Sequence, residues 1–550
     1  MSKRITRTTC IGLDDFSRGI VRIDNTTCFV PNLLPGEEAD IETIFRYGKL
    51  ESARVIKRYI TSKDRIDPPC PYYPKCGGCQ IMHLSYPKQL EYKRQKVQDL
   101  LHKFAGLDLE VLPTIGLEHP TRFRNKVQKP IRYNPKKKEV EAGFYQTETH
   151  SLISIKDCLM ESELSNRITN VLLSLFKKYR YPAYDEDKET GLIRHILIKT
   201  NRDQSQALVT LVVTNEMLKG RLEFAKELIH KVKEVQGVVL NINPRKTNVI
   251  LGEQDIRIYG HARISDTIFD QTFLISTQSF YQTNSHQIEV LYGKAIEFAA
   301  LRKTDSVLDA YCGTGTIGLS CAPHCKNVIG VEIVKDAVHD AITNAKINKI
   351  TNARFLKGDC TEYMLSTKDH FDVIIMDPPR RGSTKEFISA VKKIKPRTVI
   401  YVSCDPVTLA RDLNLFKDTY DIVKVQPVDM FPNTLHVETL VQLSHKIPDS
   451  HIVVKVDFDK DKSIQTDTLL KNAEHYKPTE RVTYKMIQAY VEEKYGFKVH
   501  TAYIAEVKRS YGLPMYDAPN AVEELKRPRQ HPSEKMVEAI KDALKHFGII

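Results

Sequence analysis

The sequence predicts a multidomain α/β protein, and three observations favour this fold class. The chain has 550 residues, which is enough for several domains of roughly 100–200 residues each. Residues 1–60 contain short apolar segments separated by glycine and proline turns, a pattern typical of a small β barrel. From about residue 285, apolar strands alternate with helical patterns, which predicts a parallel sheet covered by helices.

These patterns divide the chain into four expected parts. We expect a β barrel in residues 1–60 and a central α+β domain with an antiparallel sheet in residues 70–280. A Rossmann-like domain is expected in residues 281–446, and an α-rich extension of unknown function in residues 447–550. Residues of about 82–115, which include a helical pattern, could also pack with the Rossmann-like domain.

The balance of charge favours a polyanionic partner. The net charge is +13, so nucleic acid is the first candidate and a solvated basic surface is the alternative. The run from Arg122 to Gln128 interleaves cations, an aromatic ring and amides, which suits phosphate contacts and base stacking. A solvated edge strand would show the same pattern.

The sequence predicts neither secretion nor membrane insertion. Residues 1–7 lead into no apolar core of a signal peptide, and no apolar run approaches the ~20 residues that a membrane helix needs. We therefore expect a cytoplasmic protein with no membrane partner, and no obligate protein partner is evident. In a reducing compartment the eleven cysteines are expected to be ligands, nucleophiles or buried thiols rather than disulfides.

Four cysteines form the candidate metal site. Cys70, Cys76 and Cys79 lie within ten residues, between prolines and glycines that bend the backbone, and Cys158 is the expected fourth ligand. Four thiolates suit either zinc or an iron–sulfur cluster. Zinc sites usually pair their cysteines in two short hairpins, so three close thiols and one distant thiol favour a [4Fe-4S] cluster, with zinc as the alternative.

A glycine-containing turn predicts a nucleotide-like cofactor in the Rossmann-like domain. The apolar strand at residues 306–310 leads into Tyr311-Cys312-Gly313-Thr314-Gly315 and then a helix, at the place where open α/β sheets bind ligands. The next strand ends at Glu332, whose carboxylate can accept hydrogen bonds from both ribose hydroxyls. The spacing of Gly313, Gly315 and Gly318 also fits the dinucleotide-binding pattern formally.

Cys404 is the candidate nucleophile. It follows an apolar strand, and after it Asp405 can cap and Pro406 can open a helix. The partial positive charge at a helix amino terminus favours the thiolate, which is the nucleophilic form. The alternative is a small buried thiol without chemistry.

The order of four motifs resembles the uracil-C5 RNA methyltransferase family; they are Asp309–Gly315, Asp377–Gly382, Ser403–Pro406 and His436–Thr439. Upstream, the spacing of Gly12, Gly19 and Pro35-Gly36 resembles a TRAM domain, an RNA-binding barrel of OB-like build. Together with the four cysteines, the resemblance covers roughly residues 5–445 and is closest to the bacterial 23S rRNA branch.

The resemblance implies an enzyme dependent on S-adenosylmethionine (SAM) that makes 5-methyluridine in 23S rRNA. It implies that Cys404 adds to C6 of uracil, that C5 attacks the methyl group of SAM, and that Glu438 removes the C5 proton. From local sequence, Glu438 is expected near the carboxyl end of a strand, and a solvated surface acid would fit equally well.

The ligand sets are likewise implied by the resemblance. The residues carried over as SAM contacts are Gln282, Tyr311, Glu332 and Asp377, and Asp377 could also touch the uracil. The cysteine spacing is similar to the iron–sulfur pattern of the family, so the implied cluster ligands are Cys70, Cys76, Cys79 and Cys158. Because four protein ligands leave the metal no open site, the expected role of the cluster is structural or RNA-orienting.

Three other functions stay open at this point. The same chemistry could act on the tRNA T-loop, although the TRAM-like module and the cysteines weigh against it. A non-catalytic RNA-binding iron–sulfur protein is disfavoured because both Cys404 and Glu438 are present. RNA cytosine-C5 methylation is the last, and Ser403-Cys404-Asp405 is not its usual motif.

Overall fold

The computed structural model describes residues 4–24, 26–47, 50–147, 149–446, 484–511 and 531–547. The chain divides into two compact units, residues 1–450 and 451–550. Residues 447–483, 512–530 and 548–550 of the expected extension lie outside the described residues. Within the described part of the chain, every helix is too short or too polar to cross a membrane.

The described residues between 4 and 60 form a curled six-stranded sheet. Its strands are β1 (Ile5–Thr9), β2 (Gly12–Leu13), β3 (Gly19–Ile23), β4 (Thr26–Val30), β5 (Glu38–Tyr47) and β6 (Leu50–Ile60). They lie in the order β1-β5-β6-β4-β3-β2, and β1 also contacts β3, which curls the sheet. Val21 and Ile23 are buried while Arg22 between them is exposed, as a strand with one buried face requires. The expected small β domain is therefore confirmed as a curled sheet.

A helix and the central sheet come next. After helix α1 (Tyr86–Ala105), the central elements are β7 (Lys126–Asn134), β8 (Glu139–Tyr145), β9 (Leu152–Ser154), α2 (Glu163–Tyr179), β10 (Ile193–Thr200), β11 (Ala207–Val213), α3 (Arg221–Lys231), β12 (Val235–Ile242) and β13 (Gln254–Gly260). The seven strands lie in the order β13-β12-β11-β10-β7-β8-β9. The expectation of an antiparallel sheet is wrong for β11 and β12, which pair in parallel because α3 crosses over between them. A hairpin, β14 (Arg263–Ile268) and β15 (Gln271–Ser276), follows.

Residues 285–446 form a Rossmann-like layer structure. Its elements are α4 (Ser285–Ala299), β16 (Ser306–Ala310), α5 (Thr316–Cys321), β17 (Asn327–Glu332), α6 (Lys335–Ile347), β18 (Ala353–Lys357), α7 (Cys360–Ser366), β19 (Val373–Met376), α8 (Lys385–Ile394), β20 (Thr398–Ser403), α9 (Pro406–Phe416), β21 (Tyr420–Val428) and β22 (Glu438–His445). The strand order is β18-β17-β16-β19-β20-β22-β21, with β22 antiparallel to both of its neighbours. Alternate residues of β19 join different apolar clusters on the two faces: Val373 and Ile375 on one, Ile374 and Met376 on the other. The prediction of a multidomain α/β chain with a Rossmann-like domain is confirmed.

Helix α1 packs on the Rossmann-like sheet. It contacts α9 and β21, and Val97 and Leu101 join the same apolar cluster as Leu413 of α9. The Lys93 ammonium donates to Asp429 Oδ1 at 2.6 Å and to the Phe431 carbonyl oxygen at 2.9 Å. The Gln89 side chain donates to Asn433 Oδ1 at 3.1 Å. The loop from residue 429 to residue 436 is thus held by a helix encoded more than 300 residues earlier.

We expect Lys93→Met to destabilise the first unit by about 3–5 kcal/mol. Both side chains of the Lys93–Asp429 pair are fully buried, so the substitution leaves a buried carboxylate without its counter-ion. Urea unfolding followed by circular dichroism measures the change. The exposed pair of Lys88 and Glu91 provides the control, because Lys88→Met should cost at most about 0.5 kcal/mol. Equal losses of unfolding free energy in Lys93→Met and Lys88→Met would contradict a stabilising role for the buried Lys93–Asp429 pair.

The second unit contains three described helices with their own core. They are α10 (Tyr484–Tyr495), α11 (Thr501–Ser510) and α12 (Glu534–His546). Ile487 and Val491 of α10 pack with Ile504 of α11 and with Ile540 and Leu544 of α12. The expected α-rich extension agrees with these helices.

Candidate active site

The strand register brings the sequence-predicted residues to one edge of the sheet. Ala310 pairs with Val331 on one side and with Met376 on the other, so the next residues, Tyr311, Glu332 and Asp377, emerge together. This is the point where the strand order reverses, which is the usual ligand site of open α/β sheets.

The same register argument places Cys404 opposite Glu438. Ser403 pairs with Thr439 in the antiparallel ladder of β20 and β22, so the residues one step beyond, Cys404 and Glu438, face each other. The expectation that Glu438 stands near the carboxyl end of a strand is wrong: Glu438 begins β22. Because β22 runs against β20, its amino end meets the carboxyl end of β20, and Glu438 is 3% exposed rather than a surface acid.

The glycine turn after β16 is tied to the neighbouring strands. The Gly318 N–H donates to Asp309 Oδ2 at 2.8 Å, and the Gly313 N–H donates to Glu332 Oε2 at 3.0 Å. A Cβ at Gly318 would lie 2.6 Å from Asp309 Oδ2, so only glycine allows this close approach. Burial raises the pKa of Asp309 to about 7.

A cavity of about 530 Å³ joins these features. The six sequence-predicted catalytic and cofactor residues all line it: Gln282, Tyr311, Glu332, Asp377, Cys404 and Glu438. Gln282 reaches the cavity from the segment before α4, where the Asn125 amide donates to the Gln282 carbonyl oxygen at 3.0 Å. All six residues lie in the Rossmann-like part of the chain, and Asn125 of the central part holds the segment that carries Gln282.

Cys404 lies at the helix terminus that its sequence predicts, but its thiol is not acidic. The Asp405 carboxylate accepts from the N–H groups of Val407 and Thr408 at 2.9 and 3.1 Å, and Pro406 begins α9. Burial, followed by the negative charges of Glu438 and Asp377, raises the pKa of Cys404 to about 11. The expected preference for thiolate is therefore wrong for the protein without RNA, because these effects oppose the helix terminus.

The two carboxyl groups beside Cys404 are shifted toward their neutral forms. Burial raises the pKa of Glu438, and the charge of Asp377 raises it further, while Arg380 acts in the opposite direction. Burial likewise raises the pKa of Asp377. Two carboxyl groups that hold protons near neutral pH are suited to acid–base chemistry.

Several cavity residues were not predicted from the sequence. Phe280, Arg380, Phe431 and His436 line the same cavity, and the charge of Arg380 acts on Cys404 and Glu438. Arg380 lies in the motif Asp377–Gly382 and His436 in the motif His436–Thr439, so membership in these motifs could have identified both residues from the sequence. Cys360, which belongs to none of the predicted sites, also lines the cavity, and its sulfur accepts from the Tyr311 N–H at 3.2 Å. The two residues are 49 positions apart, so no local pattern shows the contact.

The four cysteines converge on a second, mostly apolar cavity. Cys70, Cys76, Cys79 and Cys158 line it together with Tyr72, Tyr73, Met82 and neighbouring aliphatic residues. Burial raises the pKa of Cys79 to about 12, so its thiolate needs a compensating cation. Among the described residues, no three potential ligands are grouped closely enough to hold one metal ion. Four thiols around one cavity are the donor set that either a [4Fe-4S] cluster or zinc requires.

Comparison with known proteins identifies the family. Residues 85–446 match the family described as tRNA (uracil-5-)-methyltransferase. An uncharacterized RNA methyltransferase of Clostridium tetani is 39% identical over 438 residues, which cover 79% of this chain and 95% of that protein. One of Listeria monocytogenes is 40% identical over 429 residues, covering 77% and 94% respectively.

A solved structure agrees with these matches. The tRNA (uracil-54, C5)-methyltransferase of Pyrococcus abyssi, in complex with S-adenosyl-L-homocysteine, is 27% identical with a TM-score of 0.66. The match covers 80% of this chain and 99% of that protein. The prediction of an RNA uracil-C5 methyltransferase enzyme is confirmed at the level of the family. This chain belongs to the tRNA (uracil-5-)-methyltransferase family.

Proposed function

We propose that this chain transfers a methyl group from SAM to C5 of a uridine in 23S rRNA through a covalent adduct on Cys404. The observation that carries the proposal is the register of β20 and β22, which sets a thiol opposite a buried carboxyl group beside the glycine turn. A thiol, a proton acceptor and a nucleotide-cofactor turn are the groups that this reaction needs.

SAM would occupy the part of the cavity beside the glycine turn. We assign its contacts to Gln282, Tyr311, Glu332 and Asp377, since all four line that space and a similar methyltransferase was solved with S-adenosyl-L-homocysteine. Glu332 already accepts from two backbone N–H groups, those of Gly313 and Val334, which fixes its carboxylate at the cavity wall. When bound, SAM supplies the electrophilic methyl group.

The first chemical step is addition of Cys404 Sγ to C6 of uracil. The thiol proton must leave, and Asp377, whose charge acts on Cys404, accepts it, which keeps Glu438 free to take the C5 proton later. The C5–C6 π electrons move to O4, giving an enolate that is nucleophilic at C5. Arg380, which lowers the pKa of Cys404, favours the thiolate in this step.

The second half of the reaction needs a base. C5 takes the methyl group, and its own proton must then be removed before the C6–S bond can break. Glu438 stands opposite Cys404 and therefore faces the ring that Cys404 holds. We propose that Glu438 accepts this proton, that elimination re-forms the C5–C6 double bond, and that Cys404 is released.

We propose that three of the four parts of the chain share this work. Residues 1–60, as a TRAM-like module, and residues 70–280 would hold RNA, while residues 281–446 carry the chemistry. The four thiols of the cysteine cavity would hold a [4Fe-4S] cluster that fixes the segment between the first sheet and α1. Residues 447–550 receive no role in the reaction.

The RNA class has two candidates. The curled amino-terminal sheet and the cysteine cavity support 23S rRNA through the resemblance to that branch. A tRNA T-loop is the second candidate, because the structurally similar Pyrococcus protein is named for uracil 54 of tRNA and spans 80% of this chain.

Purified RNA separates these candidates. The chain is incubated with labelled SAM and with either 23S rRNA or bulk tRNA from cells that lack this protein. We expect label in 23S rRNA as 5-methyluridine, located by mass spectrometry of nuclease fragments. Label only in tRNA would establish the second candidate, and no label in either RNA would overturn the proposed activity.

Glu332→Gln should weaken binding of S-adenosyl-L-homocysteine about ten- to hundredfold. The Glu332 carboxylate accepts hydrogen bonds from the glycine turn and would accept others from the ribose hydroxyls. An uncharged amide has only one acceptor oxygen, so it can replace only some of these hydrogen bonds. Isothermal titration calorimetry measures the affinity. The exposed Glu386 of α8 provides the control, since Glu386→Gln should bind normally; an unchanged affinity for Glu332→Gln would contradict its assignment.

Cys79→Ser should remove iron from the anaerobically purified chain. The wild type is expected to carry about four irons and four sulfides per chain, and one lost thiolate weakens the cluster. Iron and sulfide analysis, together with visible absorption spectra, measures the cluster content of the wild type and of the variant. Cys28→Ser is the control, because Cys28 is buried in the first sheet away from the cysteine cavity. Stoichiometric zinc in the wild type would contradict the cluster.

A further inference from the structure

A third cavity of about 180 Å³ adjoins the active site. It is polar, unlike the cysteine cavity, and its lining residues are Arg124, Lys126, Val127, Gln128, Phe144, Glu161 and Thr283. None of these residues takes part in the reaction proposed above. We call this space the β7 cavity, because four of its residues lie on or beside strand β7.

Three polar side chains on this strand face the β7 cavity without a protein partner. Arg124, Lys126 and Gln128 alternate with buried Asn125 and Val127, as an extended chain with two faces requires. Across the described residues, none of the three side chains forms a hydrogen bond or ion pair. Burial lowers the pKa of Lys126.

Two buried acceptors of the β7 cavity are also unsatisfied. Glu161 is 1% exposed; its Oε2 accepts from Lys129 at 2.6 Å, but its Oε1 has no partner among the described atoms. Thr283 Oγ1 is buried and likewise without a partner in that part of the chain. Buried polar atoms are usually satisfied, so several such groups around one cavity indicate a ligand.

The β7 cavity lies one residue from the active site along the chain. Gln282 lines the active-site cavity and Thr283 lines the β7 cavity. The Asn125 N–H donates to the Thr283 carbonyl oxygen at 3.0 Å, which fixes β7 against this segment. The charge of Arg124 is also felt by His436 of the active site. The two cavities are therefore lined by adjacent residues of one segment, which is anchored on Asn125.

We propose that the β7 cavity binds a nucleobase that carries an exocyclic amino group and lies next to the target uridine in the same RNA strand. The inference rests on the proposed RNA function. Glu161 Oε1 accepts from the amino group, Gln128 and Lys126 donate to ring or carbonyl acceptors of the base, and Phe144 offers a face for stacking. Arg124 remains free to contact the phosphate on the active-site side.

The chemistry of the β7 cavity selects a base over other ligands. A phosphodiester has no hydrogen to donate to the unpartnered Oε1 of Glu161, whereas an amino group donates one. Uracil has no amino group and would set its carbonyl oxygens toward the carboxylate. Adenine, guanine and cytosine each pair a donor with acceptors, as the mixed lining of this cavity requires.

The test measures RNA affinity in the presence of S-adenosyl-L-homocysteine, so it does not depend on turnover. The probe is a synthetic RNA spanning the 23S rRNA segment that the wild-type chain binds. In a matched set, the base on each side of the target uridine is replaced in turn by its analogue without the amino group. We expect one such replacement to weaken wild-type binding about ten- to hundredfold.

Variants of the β7 cavity complete the experiment. Glu161→Gln should weaken binding of the unmodified RNA similarly, and removal of the amino group should then have little further effect. Gln128→Leu and Phe144→Ala, at half-buried positions, report on the cavity without disturbing the Lys129–Glu161 pair. Tyr133→Ala is the control, because Tyr133 lies on the same strand, is 55% exposed and does not line this cavity.

The outcomes separate this inference from the proposed function. Additive losses from Glu161→Gln and from amino-group removal would overturn it, as would equal affinity for every analogue. Binding that depends on an amino group without any methylation of the RNA would support it and contradict the proposed activity. Methylation of the RNA with no dependence on flanking amino groups would support the proposed activity and overturn this inference.

Discussion

Cys404→Ala should reduce methylation of RNA by at least about 10⁴-fold. Without the thiol no enolate forms, and uracil C5 stays too weak a nucleophile to attack SAM, so the loss resembles that of other deleted nucleophiles. Transfer of labelled methyl to the RNA measures the rate. Binding of S-adenosyl-L-homocysteine should stay within about twofold, because the glycine turn and Glu332 are untouched.

A second thiol in the same unit provides the matched control. Cys325 is buried, lies outside the active-site cavity and packs in the apolar core of one face of the sheet. Cys325→Ala should retain activity within a few-fold even if it lowers stability. If Cys404→Ala retained comparable activity, the covalent mechanism would be wrong, although the family would not be in question.

Glu438→Gln should accumulate a covalent complex of protein and methylated RNA. Addition of Cys404 and methyl transfer come before the step that needs the base. Loss of the Glu438 carboxylate also removes a charge that raises the pKa of Cys404. Turnover should fall about 10²–10⁴-fold, the usual contribution of a general base, while the adduct persists. Denaturing gel electrophoresis with labelled SAM detects it.

The double variant shows whether the trapped complex depends on Cys404. Cys404→Ala combined with Glu438→Gln should give no labelled complex, since the sulfur that joins protein to RNA is absent. Release of fully methylated RNA by Glu438→Gln at the wild-type rate would be inconsistent with Glu438 as the base. Asp377, the other carboxyl group beside Cys404, would then be the next candidate.

The local features of the site could be predicted from sequence, since each depends on residues close in the chain. The Asp405 cap, the Pro406 helix start and the glycine turn each use a contact within about nine residues, and all three are present. Tyr311, Glu332 and Asp377 were grouped through the resemblance to the family, and the strand register brings them to one edge of the sheet.

The features that could not be predicted from the sequence depend on residues that are distant along the chain. Glu438 looked like a possible surface acid because its burial comes from the antiparallel pairing of β22 with β20. The pKa of Cys404 rises because of burial and of carboxyl groups 34 and 27 residues away, which no local pattern reports. The parallel pairing of β11 with β12 was missed because both strands also suited an antiparallel sheet.

The Lys93–Asp429 pair bears on the order in which the chain can fold during synthesis. Helix α1 leaves the ribosome more than 300 residues before Asp429 and the α9 residues against which it packs. Until then its buried lysine has no counter-ion and its apolar face no cover, while the central sheet between them can already form. A fragment starting at residue 281 would likewise leave Asp429 unpaired, so the catalytic part should fold poorly when expressed without residues 86–105.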